Sequence, residues 1–128
     1  MFDSTKAFGS FAVPDTTVAR DFYEKTLGLE VDDLGMGGLL GLKVGGGTVM
    51  VYPKPDHAPA TYTVLSFPVA DLEAAVDELV GKGVQMTRYD GFEQDDRGIV
   101  RDPRGPAIAW FTDPAGNILA VLEQGGMP

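Results

Sequence analysis

The sequence contains no cysteine, so it can form no disulfide and offers no thiolate nucleophile. A chain without disulfides suits a reducing compartment, and we expect a cytoplasmic protein. It has no run of about 18 apolar residues that could cross a membrane. Its first residues lack the basic segment and apolar run of a secretory signal, so we expect no signal peptide.

Basic residues are also scarce. Lys and Arg total 10 against 19 Asp and Glu, which gives a net charge of −9 over 128 residues. Such a surface repels phosphate groups, so we predict neither a nucleic-acid nor a membrane partner. The acidity itself indicates solubility rather than a specific acidic site. The length suits a single domain over residues 1–128.

Two amphipathic helices are predicted from apolar residues at helical spacing. The first covers residues 15–27, with Asp15 as N-cap and Gly28 just beyond its last turn. The second begins after Asp71 and ends at Gly81. Each helix therefore has a defined start, a defined stop and one apolar face for a sheet.

The remaining apolar segments predict short strands bounded by glycine and proline turns. These segments are 6–13, 29–34, 39–44, 48–52, 61–69, 84–89, 106–112 and 118–122, and residues 98–101 have the pattern of a further short strand. The tail from residue 124 to 128 is predicted to be frayed.

The pattern occurs twice. Phe11-Ala12-Val13-Pro14-Asp15 matches Phe67-Pro68-Val69-Ala70-Asp71, and each is followed by a helix and three strands. We therefore predict an α+β fold of two tandem βαβββ modules, about 5–53 and 61–123, joined by a proline-rich linker over 54–60. Helices would cover one face of a curved mixed sheet, whose other face surrounds a cleft.

These motifs together resemble the vicinal oxygen chelate superfamily, which includes glyoxalases, extradiol dioxygenases and bleomycin-resistance proteins. The resemblance rests on the paired Phe-x-Val-x-Asp segments, on Phe22-Tyr23 with Leu27-Gly28-Leu29, and on the turn Asp113-Pro114-Ala115-Gly116-Asn117. It extends over residues 6–123. It implies a curved sheet for each module, a cleft that commonly holds a metal, and a homodimer.

The metal ligands that the resemblance implies are missing from this sequence. In metal-binding relatives a His commonly lies seven residues before each capping Asp, where this chain has Phe8 and Val64. A Glu commonly follows the Gly-Asn of the last turn by three residues, where Ala120 stands, and strand 48–52 has neither His nor carboxylate. Because a divalent ion needs several such donors, we predict no metal and no cofactor.

Strand alternation instead predicts an apolar or weakly polar cleft that suits an aromatic ligand. The candidate ligand-binding residues are Phe8, Ser10, Met50, Tyr52, Val64, Ser66, Arg101, Trp110 and Ala120, with Ala12 on the same face. An alternative is that large side chains such as Phe8 fill the cleft as core.

Charged residues allow two interpretations. Arg101 with Arg88 and Arg97 could hold a carboxylate or phosphate of the ligand, or these arginines could pair with surface acids. We predict that His57 is an exposed loop residue and that the acidic segment 90–97 is solvated, and we assign no catalytic residue.

The sequence therefore favours a metal-independent small-molecule binding protein of the glyoxalase and bleomycin-resistance type. One alternative is a glyoxalase-like lyase or dioxygenase-type enzyme that uses a recruited acid–base residue in the same cleft. Another is a dimeric structural or regulatory module whose cleft is filled.

Overall fold

The structure, a computed structural model, describes residues 1–125 and divides the chain into two compact units. The first unit is Met1–Pro59, and the second begins at Ala60, inside the predicted linker. Mixed α+β architecture, with one helix region and one sheet in each unit, confirms the predicted fold class. Among the described residues, no helix is long and apolar enough to cross a membrane.

The first unit has the predicted βαβββ order. Its elements are β1 (Ser10–Val13), α1 (Thr16–Asp21) with a π-helical turn (Phe22–Thr26), β2 (Val31–Gly35), β3 (Leu39–Val44) and β4 (Gly47–Pro53). The sheet order is β1-β4-β3-β2, with β1 parallel to β4 and the other pairs antiparallel. The single helix predicted over 15–27 is in fact an α-helix that widens into a π-turn.

The first helix begins and ends as its sequence indicates. The Asp15 carboxylate accepts hydrogen bonds from the N–H groups of Thr17 and Val18, at 2.9 and 3.4 Å. In the π-turn Tyr23 is fully buried, with its ring centroid 5.9 Å from that of Phe11. Phe11 therefore faces the helix, which identifies the helix-covered face of the first sheet.

The second unit has one strand fewer. Its elements are β5 (Thr63–Val69), α2 (Leu72–Gly81), β6 (Ile108–Thr112) and β7 (Ile118–Glu123), in the sheet order β5-β7-β6. The Glu123 carboxylate accepts a hydrogen bond of 3.0 Å from the Leu72 N–H at the start of α2. The face of β7 that carries Glu123 is therefore the face covered by α2.

Two predicted strands are wrong. Segment 84–89 has one hydrogen bond to β6, from the Thr87 N–H to the Trp110 carbonyl at 2.8 Å, and segment 98–101 forms a single bridge at Val100. The side-chain amide of Gln94 bonds the Tyr89 N–H and the Thr87 carbonyl. Because a side chain satisfies these backbone groups, no continuous ladder forms there.

The C-terminal tail is better ordered at its start than predicted. The Gln124 N–H donates a 2.6 Å hydrogen bond to the Val69 carbonyl, so the strand pairing continues to this residue. The rest of the predicted frayed tail, 126–128, lies outside the described residues.

Candidate functional site

In each sheet, the face turned away from the unit's own helix is here named the far face. In the first sheet Phe11 faces the helix, so alternation places Ser10 and Ala12 on the far face. The β1–β4 register pairs Ser10 with Met50 and Ala12 with Tyr52. The structure thus brings together four residues that the sequence predicted for the cleft; Ser10 is exposed and Ala12 is buried.

Leu34 and Gly41 extend this far face, and the sequence did not single them out. Gly41 pairs with Met50, and a Cβ added to it would lie 3.1 Å from Thr48 Cγ2 and 3.3 Å from Leu34 Cδ1. The Leu34 side chain therefore lies over the glycine while remaining 44% exposed. The predicted strand 29–34 contained Leu34, and alternation from Asp32, which pairs with Gly41, places Leu34 on this face.

Phe8 lies before β1 and is 60% exposed. Its neighbour Gly9 accepts a 3.0 Å hydrogen bond from the Met50 N–H, which holds the chain beside β4. More than half of the Phe8 surface is in contact with solvent in the single chain, so Phe8 is not part of the core of the first unit.

In the second sheet, three predicted residues form one row. The β5–β7 register pairs Ser66 with Ala120, and the β6–β7 register pairs Ala120 with Trp110. Because Glu123 points to α2, alternation along β7 turns Ala120 to the far face. Ala120 is 1% exposed, whereas Ser66 is exposed and Trp110 is half-buried.

Trp110 is the centre of an aromatic cluster with Tyr89 and Phe92. The ring centroid of Trp110 lies 5.4 Å from that of Tyr89, edge to face, and 5.5 Å from that of Phe92, with the planes tilted by 35°. Tyr89 and Phe92 are 6.3 Å apart. Phe92 remains 53% exposed, so the cluster presents aromatic surface to solvent.

Sequence reasoning missed Tyr89 and Phe92. Tyr89 ended a predicted strand and Phe92 lay in a segment interpreted as a solvated acidic loop. Only the backbone course of 89–94 shows that these rings reach Trp110. A weak signal was present, because Phe92 is an aromatic residue in a loop that is otherwise polar.

Val64 is the extra residue of a β-bulge. Thr63 pairs with Ile118 and Leu65 with Leu119, so Val64 has no direct partner in β7. It is half-buried. Bulges redirect side chains and are common beside functional sites.

The three arginines bond to protein groups. Arg97 binds the Asp77 carboxylate with two hydrogen bonds of 2.9 and 3.1 Å, and Arg101 pairs with Asp95 and with Glu73 of α2, the latter at 3.3 Å. These contacts favour the surface ion-pair interpretation. Arg101 lies beside α2, and the structure does not bring it together with the far-face row.

Arg88 donates to main-chain carbonyls, at 3.4 Å to that of Gln94 and at 2.9 Å to that of Asp96. It therefore braces the loop that follows it.

The ion pairs keep their carboxylates charged. The hydrogen bond from Arg97 holds the pKa of Asp77 below its usual value. Partial burial raises the pKa of Asp95. Hydrogen bonds from the Ile99 N–H, the Arg101 guanidinium and the Arg97 N–H outweigh this effect, so the pKa lies below its usual value. Neither group is poised to donate a proton near neutral pH.

His57 is not the exposed residue that the sequence predicts. It is half-buried, in a turn closed by the bond from its N–H to the Lys54 carbonyl at 2.9 Å. Its Nε2 is buried, and the described part of the chain offers that atom no hydrogen-bond partner.

The far-face residues do not have the donor chemistry of a divalent-ion site. Phe8, Val64 and Ala120 occupy the positions of the implied ligands, and none carries a nitrogen or oxygen in its side chain. Over residues 1–125, no three His, Cys, Asp or Glu side chains are grouped so that they could hold a metal. The residues present therefore do not fit the metal that the resemblance implies.

A separate groove of about 470 Å³ lies between α2 and segment 83–88 of the second unit. Val80 and Met86 contribute apolar lining, while Asp77 and Arg97 in its wall are bonded to each other. Because this ion pair is satisfied internally, we assign no ligand to the groove.

Comparison with known proteins assigns the chain to a family. The family model that matches is the Glyoxalase/Bleomycin resistance protein/Dioxygenase superfamily, over residues 7–121. A search of curated proteins finds no match.

Solved structures share the fold. A glyoxalase family protein from Bacillus anthracis superposes with a TM-score of 0.73 at 19% identity, covering 96% of this chain and 97% of that one. A glyoxalase/bleomycin resistance protein from Streptomyces sp. CB03234 has a TM-score of 0.65 at 27% identity, with coverage of 92% and 99%.

Lactoylglutathione lyase from Agrobacterium tumefaciens also superposes, with a TM-score of 0.65 at 22% identity and 95% of each chain covered. At this identity the likeness concerns the fold alone. The family match spans nearly the whole sequence, and the chain belongs to the Glyoxalase/Bleomycin resistance protein/Dioxygenase superfamily.

Proposed function

We propose that this protein binds an apolar or aromatic small molecule without a metal, in the manner of a binding protein of the glyoxalase and bleomycin-resistance type. The observation that carries the proposal is the aromatic cluster of Tyr89, Phe92 and Trp110 beside the row Ser66–Ala120–Trp110.

The chemistry of the cluster favours a flat ligand. Two rings flank Trp110, and the tilt of 35° between Phe92 and Trp110 is closer to a stacked than to an edge-on arrangement. A planar ring can add to or replace such contacts, each of which contributes about 0.5–1.5 kcal/mol beyond the area it buries. The exposed hydroxyl of Ser66 supplies one group that could orient a polar substituent.

The far face of the first sheet is a second surface of similar character. Met50 and Tyr52 are half-buried and lie next to Ser10 and Ala12. A thioether and a phenol suit contact with an aromatic ligand. We include these residues in the proposal as additional binding groups.

We also propose that the protein forms a homodimer, as the resemblance implies. Light scattering coupled to size exclusion measures the mass directly, and a monomer of 13.6 kDa at all concentrations would contradict this part.

The binding experiment uses the fluorescence of Trp110, the only tryptophan of the chain. Proflavine, 2-naphthol and 8-anilinonaphthalene-1-sulfonate serve as cationic, neutral and anionic aromatic probes. We expect saturable quenching by at least one probe, and a thermal shift that follows RT ln(1 + [L]/Kd). Absence of saturable binding for all three probes would reject the proposal.

Two variants locate the site. Phe92→Ala removes one ring of the cluster and should weaken probe binding roughly two- to tenfold. Tyr62→Ala removes an aromatic ring that is 69% exposed and has no ring contact in the described chain, so it should leave the affinity unchanged. Equal effects of the two variants would place binding elsewhere.

Metal content separates binding from the metal-dependent chemistry of a lyase or dioxygenase. The donor-poor far faces predict that purified protein contains no stoichiometric divalent metal. Stoichiometric Zn, Ni, Mn or Fe, with loss of probe binding on chelation, would overturn metal independence.

A further inference from the structure

We propose that Gln94 is a positioning residue for the aromatic cluster: its side-chain amide closes the loop 89–94 and so determines where Tyr89 and Phe92 stand against Trp110. The consequence for ligand affinity rests on the proposed function. The consequence for the cluster itself does not.

Three hydrogen bonds carry this inference. Gln94 Oε1 accepts from the Tyr89 N–H at 2.8 Å, and Nε2 donates to the carbonyls of Thr87 and Gly98 at 3.1 and 2.7 Å. The amide therefore joins the segment before the loop to the segment after it. Gln94 is half-buried, so water competes only partly for these bonds.

The tip of the loop, residues 90–93, depends on this closure. All four residues are exposed, and the described part of the chain gives the tip no hydrogen bond of its own. Phe92 is held by its ring contacts with Tyr89 and Trp110, by the closure at Gln94 and by the bonds from Arg88 to the carbonyls that follow the tip. If the closure is lost, the tip gains conformational freedom and the rings lose their fixed arrangement.

Glutamine is chemically specific at this position because the site needs an acceptor and two donors at the end of one side chain. Glutamate retains the acceptor and loses both donors. Methionine has a similar length and retains neither. Asparagine is one methylene shorter and cannot be expected to reach all three backbone groups.

The test compares Gln94→Met with Gln85→Met. Gln85 is an exposed residue in the same unit, and no hydrogen bond of its side chain is found among the described residues. The first measurement is the emission of Trp110 and its quenching by acrylamide in the ligand-free protein. We expect a shift to longer wavelength and stronger quenching for Gln94→Met only, because Phe92 and Tyr89 no longer cover the indole.

A third variant separates local loosening from lower stability. Val76→Ala removes two methyl groups from a fully buried residue of α2 and should lower Tm. At temperatures where each variant is fully folded, it should leave the Trp110 emission where it is in the parent protein. If Gln94→Met only lowers stability, it should lower Tm and leave the Trp110 emission unchanged, as expected for Val76→Ala.

The second measurement is the affinity for the aromatic probe that the parent protein binds. Gln94→Met should raise its Kd roughly two- to tenfold, the loss that one aromatic contact explains. Gln85→Met should not change it.

The outcomes are distinct. Unchanged Trp110 emission in Gln94→Met overturns the positioning role, whatever the probe does. A shifted emission with unchanged Kd overturns the link to affinity. A shifted emission in a protein that binds none of the probes rejects the proposed function and supports the positioning role. If Gln94→Met does not fold, Gln94→Glu replaces it with the same readouts and the same expected direction, because glutamate loses both donors to the Thr87 and Gly98 carbonyls.

Discussion

At the scale of single residues, two turns with the same Asp-Pro-x-Gly sequence differ in what their aspartate does. Asp113 is 3% exposed, and its carboxylate accepts hydrogen bonds from the N–H groups of Ala115 and Asn117 and from the Asn117 side chain, at 2.9, 2.9 and 3.0 Å. Asp102 accepts from Arg104 in a turn open to solvent. We therefore expect the contribution of the aspartate to stability to depend on its burial and not on the Asp-Pro-x-Gly motif.

We predict that Asp113→Ala lowers the free energy of unfolding by about 2–4 kcal/mol, because it leaves buried donors unpaired. Asp102→Ala should cost less than about 1 kcal/mol, since water replaces the lost acceptor. Urea denaturation of both variants measures the difference. Similar losses in the two variants would contradict a special role for the buried turn.

Three residues also decide the chemistry of the far faces. Phe8, Val64 and Ala120 stand where the resemblance implies two histidines and a glutamate. The structure adds that Phe8 is exposed, that Val64 is in a bulge and that Ala120 is buried between Ser66 and Trp110. The chemical type of these three side chains could be predicted from the sequence. Their exposure and their neighbours could be known only from the strand register of the structure.

At the scale of elements, the end of the first helix combines a π-turn with a left-handed glycine. The Leu27 N–H bonds to the Phe22 carbonyl at 3.0 Å, five residues back, and Gly28 follows with φ of 72°. A Cβ at Gly28 would meet nothing within 4 Å, so any cost of a side chain there is conformational.

We predict that Gly28→Ala lowers the free energy of unfolding by about 1–2 kcal/mol through the left-handed backbone alone. Gly47 is the matched control: it also has open space around a Cβ, and its φ is not positive. Gly47→Ala should change stability by less than about 0.5 kcal/mol. Thermal and urea unfolding of the two variants check this, and equal losses would contradict a cost specific to the left-handed backbone at Gly28.

The second unit shows where element prediction fails. Segment 84–89 alternates like a strand, yet Gln94 takes part of its backbone hydrogen bonding and no ladder forms. Alternation describes which side chains could be buried. It carries no information about a side chain from a later loop that competes for the same backbone groups.

At the scale of the whole molecule, charge is the dominant feature. The net charge of −9 creates a negative potential that attracts cations and repels anions before any contact is made. Salt screens this field, with a Debye length of about 10 Å at 0.1 M.

We predict that the affinity for proflavine falls as NaCl rises from about 0.02 M to about 0.5 M, whereas the affinity for neutral 2-naphthol stays constant. Isothermal titration calorimetry at both salt concentrations measures this. The neutral probe controls for effects of salt on the cluster itself, and a parallel decline of both affinities would contradict a field effect.

The sequence by itself determined the two helices with their Asp15 and Asp71 caps, most strands, the duplication and the family. It also determined that the implied ligand positions lack metal donors. These properties depend on residue type and local spacing, which a sequence states directly.

Only the tertiary structure decided the aromatic cluster, the bulge at Val64 and the burial of His57 Nε2. Each depends on residues distant in sequence or on a loop without periodicity, and no local pattern specifies such contacts. The loop closed by Gln94 is the clearest case, because its side-chain amide, together with Arg88, joins backbone segments that bring Tyr89 and Phe92 to Trp110.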